Sequence, residues 1–487
     1  MGFAIAGFGL LRLIYWVWAF PNPDEAYYWW WGRNFSLSYY DHPPLFAWLQ
    51  GLTSQVLPHS FWSLRFLNLI TNGIFFYVYW WLVGYLYPTA QRQSWLWVVT
   101  AVCSAPLYFV MLTLAWHDHL LITLCLTASV LFLQYLDGYK FGNVLRERLL
   151  YGAVLLLSLA VITKYNALLF ALGLGVAVWS DRSLRRLITW RRGITVLGIF
   201  CLVFLPVLLW NVQYDFPSFH YYLTRSVNGG TWLMRLLEPV GFGVISLLML
   251  SPFNCWLVYA GWQKRHCLPS QTVYLQLAIA VFLVSTGILL GVSLLSTAYY
   301  YWNITAYLLL FPLIPLAVSQ AEMGKVVNGA LLYGMVFALL FVVNYTVLPI
   351  ASVFDPHADP DGRMLYGWEQ VKAYIDAIAP KQELVVTTDY RSAGAIAYAL
   401  PDRKVTALSQ RISQFDFPSL STGEQFILLW DDWHPLTPWH RSQIGKINSE
   451  RMAILPIYRW GVWLKNYYLA PAQGLYPLPK LWKGSRN

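Results

Sequence analysis

Eleven apolar stretches divide the first 350 residues of this chain, at roughly 2–20, 62–86, 95–114, 119–137, 149–162, 165–179, 193–211, 236–260, 272–295, 303–320 and 326–350. About 20 apolar residues cross the hydrocarbon of a bilayer as one helix, which satisfies its own backbone where no water can. The pair at 149–179 reads either as two short helices broken at Thr163-Lys164 or as one long tilted helix. Of the 487 residues, 58% are hydrophobic and 11% charged, against about 25% charged in a soluble chain. That shortfall excludes a soluble globular enzyme over most of the length, and the hydrophobicity excludes disorder.

The charge is unevenly spread. Residues 1–350 carry 18 Lys+Arg and 10 Asp+Glu, whereas residues 351–487 carry 15 and 13. Near-soluble composition therefore begins near Ala351, giving a membrane part, 1–350, and a soluble part, 351–487. With few surface positions in the first part, the net charge of +10 reads as membrane orientation rather than nucleic-acid binding. The five cysteines (Cys103, Cys125, Cys201, Cys255 and Cys267) show no CxxC spacing and none lies in the tail. They read as small residues of membrane helices or their loops, with no disulfide implied.

The loops sort by sign. One set holds Arg92, Lys140, Arg146, Arg148, Arg182, Arg185, Arg186, Arg191, Arg192, Lys264, Arg265 and Lys325; the other holds Arg33, Arg65, Lys164, Arg225 and Arg235. The positive-inside rule puts the first set and the N-terminus in the cytoplasm. An odd number of spans then leaves the tail outside, and a single span at 149–179 would reverse it. The outer loops contain Asp24, Glu25, Asp41, His42, His117, Asp118, His119, Lys164, His220 and Arg225. Ionisable groups at membrane depth are costly, which makes these the functional candidates.

The first outer loop, 21–61, opens Pro21-Asn-Pro-Asp24-Glu25-Ala-Tyr27-Tyr28 and continues Tyr39-Tyr40-Asp41-His42-Pro43-Pro44-Leu45. Carboxylates after a proline suit the first turn of a helix, so a plain N-terminal cap on an interfacial helix is one reading of Asp24 and Glu25. Asp41-His42-Pro43-Pro44 is an extended corner. Within His117-Asp118-His119, residues two apart on a helix face different ways, which speaks against a shared metal ion. A divalent ion bridging Asp24, Asp41 or Asp118 stays open beside direct hydrogen bonding.

The acidic pair after the first span, the Tyr-Tyr-Asp-His-Pro-Pro-Leu corner and the outward His-Asp-His together resemble the GT-C glycosyltransferases of the protein O-mannosyltransferase and lipid A aminoarabinose transferase type. The resemblance implies a GT-C fold of about eleven transmembrane helices, interfacial helices in the first outer loop and an extracytoplasmic C-terminal α/β domain. It also implies a polyprenyl-phosphate-linked sugar donor, a lipid, glycan or protein acceptor, inversion at the anomeric carbon, and no required cofactor. By matched position, Asp24 would be the general base with Glu25 as its acidic neighbour, and Asp118 a second catalytic acid. Tyr40, Asp41, His42, Lys164 and Arg225 would bind substrate, chiefly at the donor phosphate. Where the aminoarabinose transferases carry lysine this chain has His42, whose charge at neutral pH depends on its surroundings.

The chemistry needs the same parts without the family. A base takes the acceptor proton, cations stabilise the leaving phosphate, and the site lies at headgroup depth because the lipid tail stays in the bilayer. A polytopic transporter or lipid flippase is the alternative, whose mark would be broken helices at midplane in two matching halves; a third is a GT-C-like fold serving only lipid binding. The tail reads as helices from Gly367 and over Arg391–Leu400, with strands at Glu383–Thr388, Val405–Leu408, Phe426–Trp430, Met452–Tyr458 and Val462–Tyr468. These make a small α/β domain expected to cover the site or select the acceptor. Asp389 and Asp431-Asp432 each follow a strand, and helix capping is the cheaper account of both.

Overall fold

The computed structural model describes residues 1–142, 144–225, 232–317, 323–355, 357–381, 383–409, 411–416 and 425–474; of these, the side chains of 223–225, 232–236 and 323 are outside the description. Each of the eleven apolar runs holds helical residues. Among the described residues, five single helices are long and apolar enough to cross a membrane: Phe66–Leu86, His117–Lys140, Trp190–Gln213, Tyr274–Ser293 and Gly324–Thr346. Four bent pairs raise this to nine if each is one span. The chain is a multi-pass membrane protein.

The bends correct the reading of 95–114, 236–260 and 303–320 as simple spans. Gln91–Ser104 turns by 81° into Pro106–Thr113, Leu237–Leu250 by 89° into Pro252–Gln263, and Tyr300–Tyr307 by 48° into Phe311–Ala317. Pro106, Pro252 and Pro312 each sit in the first turn of a following helix. There a missing N–H costs nothing, and before Pro106 and Pro252 the preceding residue, Ala105 or Ser251, leaves helical geometry.

The N-terminal helix α1 (Gly2–Trp18) leads into α2 (Pro23–Arg33) through a 63° bend, and α3 (Leu45–Val56) follows the Pro-Pro corner. Where α2 crosses α3 the backbones touch through Gly32 and Gly51: a Cβ on Gly32 would stand 2.6 Å from Gly51 N. Next come α4 (Phe66–Leu86) and α5 (His117–Lys140). The region 149–179 resolves into two helices, α6 (Glu147–Val161) and α7 (Ala167–Ser180), broken at Thr163-Lys164. Arg12 is buried inside the bundle, as its place within a span required; its Nε donates to Thr113 Oγ1 at 3.2 Å.

The C-terminal part folds around a six-stranded sheet: β1 (Leu384–Thr387), β2 (Val405–Ala407), β3 (Gln425–Asp431), β4 (Ile444–Ile447), β5 (Ala453–Arg459) and β6 (Val462–Gly474). The order is β2-β1-β3-β6-β4 with β5 beside β6; β1 pairs parallel with β2 and β3, and β6 runs antiparallel to its partners. All five sequence strands are present. β4 was missed because Ile-Gly-Lys-Ile is short and carries a glycine and a charge. Helices α8 (Trp368–Ile378) and α9 (Tyr390–Ala399) flank the sheet. Asp389 caps α9, its Oδ1 accepting from Arg391 N at 2.9 Å. No helix opens at Asp431-Asp432: Asp431 ends β3 and accepts from the amides of Trp433 and His434 in the loop beyond.

The sheet domain sits directly on the first outer loop. Tyr27, Tyr28, Trp29 and Trp31 of α2 share one buried cluster with Ile396 and Tyr398 of α9, Phe415 and Trp368. The closest approach is at Gly394, where a Cβ would lie 2.9 Å from Tyr27 N. Gly394→Val is expected to lift α9 off α2 and reduce turnover by up to about a hundredfold, since small displacements of catalytic geometry carry penalties of that order. Unchanged turnover with unchanged protease resistance at the junction would refute that dependence.

Candidate functional site

A cavity of about 330 Å³ lies where the outer loop meets the ends of the spanning helices, lined by Asp24, Tyr28, His42, Trp116, His117, Asp118, Lys164, Tyr222, Tyr301 and Trp302, with Leu169, Ile288, Leu289 and Val292 on its apolar side. Thus Asp24, His42, Asp118 and Lys164, scattered over 140 positions of sequence, share one space.

Asp24 reaches it from the first turn of α2. Asn22 caps that helix, accepting from Asp24 N at 3.1 Å, while Glu25 Oε2 accepts from Asn22 N at 2.8 Å. Capping and a role in the cavity are therefore divided between neighbours, because successive helical residues point different ways. Burial under the sheet domain raises the Asp24 carboxyl above the ordinary carboxylate range; Arg391, at the start of α9, opposes that rise, while Asp361 and Asp41 add to it.

Glu25 stands away from the cavity. It is fully buried and takes Arg65 Nη2 on Oε2 at 2.7 Å and Arg65 Nε on Oε1 at 3.0 Å. Ala115 N donates to Oε1 at 2.7 Å, and Arg65 Nη1 reaches Ala19 O at 2.8 Å. Arg65, classed from sequence only as an outer-loop cation, is the partner that fixes Glu25 as a structural joint.

Also lining the cavity, Lys164 Nζ donates to both oxygens of Asp118, at 2.8 and 2.9 Å, and lies 5.1 Å from the ring centre of Tyr301. The two are 46 residues apart in the chain, and only the fold joins them. Lys164 occupies the break between α6 and α7, and Leu45 N donates to Ile162 O at 2.9 Å, tying that break to the Pro-Pro corner.

The corner splits its residues, as an extended backbone does. His42 turns into the cavity, its Nδ1 3.3 Å from Tyr222 Oη. Asp41 and Tyr40 do not line it, which corrects their placement as direct substrate contacts. Asp41 pairs with Arg411, and the Arg411 guanidinium lies 4.0 Å from the ring centre of Tyr390. Tyr40 N donates to Gln414 Oε1 at 3.0 Å. Arg225 ends the helix Pro217–Arg225, and its side chain lies outside the described residues.

Arg391, Arg411 and Gln414 were missed because nothing local marks them; they belong to the tail and act across the domain junction. Asp41 faces Arg411 and Asp118 faces Lys164. Among the described residues no group of three or more His, Cys, Asp or Glu side chains is placed to hold an ion.

A family model, dolichyl-phosphate-mannose-protein mannosyltransferase, matches residues 41–210, from the Asp-His corner into the helix Trp190–Gln213. A relative in Rhizobium johnstonii, lipid A galacturonosyltransferase RgtD, is 25% identical over 403 residues, 78% of this chain and 77% of its own. The structure of ArnT from Cupriavidus metallidurans bound to undecaprenyl phosphate superposes with a TM-score of 0.60 at 14% identity, over 96% of this chain and 98% of that one. Its apo state gives 0.59. This chain has the GT-C fold. The match extends through the sheet domain as well as the membrane helices, so the shared fold includes both the bundle and its C-terminal cover. The residues that line its cavity come from both sides of the residue 210 boundary of the family match.

Proposed function

We propose that the protein moves a sugar from a polyprenyl-phosphate donor to a lipid-anchored acceptor on the extracytoplasmic side, with inversion. The observation that carries this is one cavity lined both by a carboxylate, Asp24, and by the Asp118–Lys164 pair. It lies at the ends of the spanning helices, with an apolar side of Leu169, Ile288, Leu289 and Val292 suited to an isoprenoid tail. The lipid named in the ArnT structure and the lipid A acceptor named for RgtD support the two substrate classes.

In this reading the acceptor oxygen attacks the anomeric carbon as Asp24 takes its proton. The bond from that carbon to the phosphate oxygen breaks, and its electron pair stays on the phosphate. Lys164, oriented by Asp118, meets that charge with His42 and, by its loop position, Arg225. Hydrogen bonds and fixed cations suffice, without a metal cofactor. Glu25 positions Asp24 by anchoring α2 to Arg65, while Asp41 and Tyr40 hold the sheet domain over the site. The N-terminus and the basic loops lie in the cytoplasm in this scheme, with the cavity and the sheet domain outside.

The test is a panel of polyprenyl-phosphate sugars offered to purified, lipid-reconstituted protein with a lipid A-type acceptor, following release of free polyprenyl phosphate. Release with one sugar supports the reading. No release together with no donor binding rejects it.

A further inference from the structure

His117 is the first residue of α5, and its ring is held on three sides: against Tyr28 at 4.4 Å between ring centres, Phe46 at 4.8 Å and His42 at 4.4 Å. It is 1% exposed and lines the cavity. Its Nε2 is buried without a hydrogen-bond partner among the described residues. An unpaired buried polar atom costs about 1–3 kcal/mol, and native structures keep few without a reason. His119, two residues on, turns to α4, where its Nδ1 lies 2.7 Å from Thr71 Oγ1, and it does not line the cavity.

Charge supplies the second argument. Among the described residues, the fully charged ones lining the cavity are Asp24, Asp118 and Lys164, two negative and one positive. Lys164 is already matched by Asp118. An anionic ligand entering this space needs added positive charge, and two touching imidazoles can gain it, one proton between them, because a second would place like charges in contact.

We propose that His117 contacts the donor phosphate through Nε2, and that the His42–His117 pair takes up one proton from solvent as the phosphate binds. This rests on the donor reading above and adds a residue and a proton to it. The uptake suits the chemistry: a phosphodiester with one negative charge becomes, on loss of the sugar, a phosphomonoester with a second ionisation near neutral pH. Among the described residues, the groups facing the pair include the Tyr222 hydroxyl and the rings of Tyr28 and Trp31 beside His42, and Lys164 with its partner Asp118, His119, Tyr28 and Phe46 around His117. The hydroxyl and rings stay neutral over the working range.

The probes are a short-chain polyprenyl phosphate and its methyl diester, which has no ionisation of its own between pH 6 and 8, so any pH dependence of diester binding belongs to the protein. Wild type should bind the diester more tightly as pH falls, approaching about tenfold per unit, the limit for one proton taken up. His117→Gln should keep part of the affinity and lose most of the pH dependence. His117→Phe should lose both, and His42→Lys should bind tightly at both ends of the range. Diester affinity and pH dependence in His117→Gln equal to wild type would overturn the inference, as would pH-independent binding by wild type. If His117→Phe does not fold, the Gln and Lys variants decide. Binding of neither probe by wild type would instead reject the donor class itself.

Discussion

Asp24→Asn is expected to abolish sugar transfer while leaving donor binding near wild type. General-base assistance contributes about 10²–10⁴-fold, so release of polyprenyl phosphate should fall by that order. The substitution keeps the side chain's size, and the cap on α2 uses the Asp24 amide rather than its carboxylate, so the helix has no reason to unwind. A turnover within a few-fold of wild type would remove Asp24 from the mechanism. The pH profile gives an independent reading. Burial raises the Asp24 carboxyl, and a base works only when ionised, so activity is lost as pH falls through that raised value. Arg391 is the foremost group opposing the rise. Arg391→Gln should therefore move the acidic limb of the rate profile to higher pH, an effect that a purely structural role for Arg391 would not produce.

The neighbouring carboxylate is expected to fail differently. Glu25→Ala leaves Arg65 buried with its charge unmet, since both side chains are wholly shielded from solvent. Removing one partner of a buried pair costs about 3–5 kcal/mol, a large part of the stability of an ordinary domain. We expect a marked drop in melting temperature and yield in detergent, and activity lost with the folded protein rather than before it. Glu25→Ala combined with Arg65→Leu should recover part of the stability, because the uncompensated charge is gone. If Glu25→Ala melts like wild type, the joint carries no such weight. Two adjacent acids thus separate cleanly: one variant folded and inactive, the other poorly folded.

Much of the fold was legible because its causes are local. Apolar runs of span length name membrane helices wherever they occur, and strand alternation in the tail located five of six strands. Bends at Pro106, Pro252 and Pro312 were less legible, since a proline in the first turn of a helix and one within a span look alike until the axis is seen. For the site, Asp24, His42, Asp118 and Lys164, singled out by motif position, line one cavity. It grouped Glu25 with Asp24, and Tyr40 and Asp41 with His42, because adjacency in sequence carries no information about which way a side chain turns.

By itself the sequence determined that this is a membrane-embedded bundle with a soluble tail, and which ionisable residues lie near the membrane surface. Those properties follow from the cost of placing charge and unpaired backbone in hydrocarbon, which each segment meets alone. The tertiary structure alone decided that Lys164 pairs with Asp118, that Arg65 takes Glu25, that Arg391 and Arg411 of the tail act beside Asp24 and Asp41, and that His117 faces the cavity while His119 does not. These are electrostatic and packing relations between segments distant in the chain. Their energies depend on separation and burial in space, quantities that exist only once the helices and the sheet have docked.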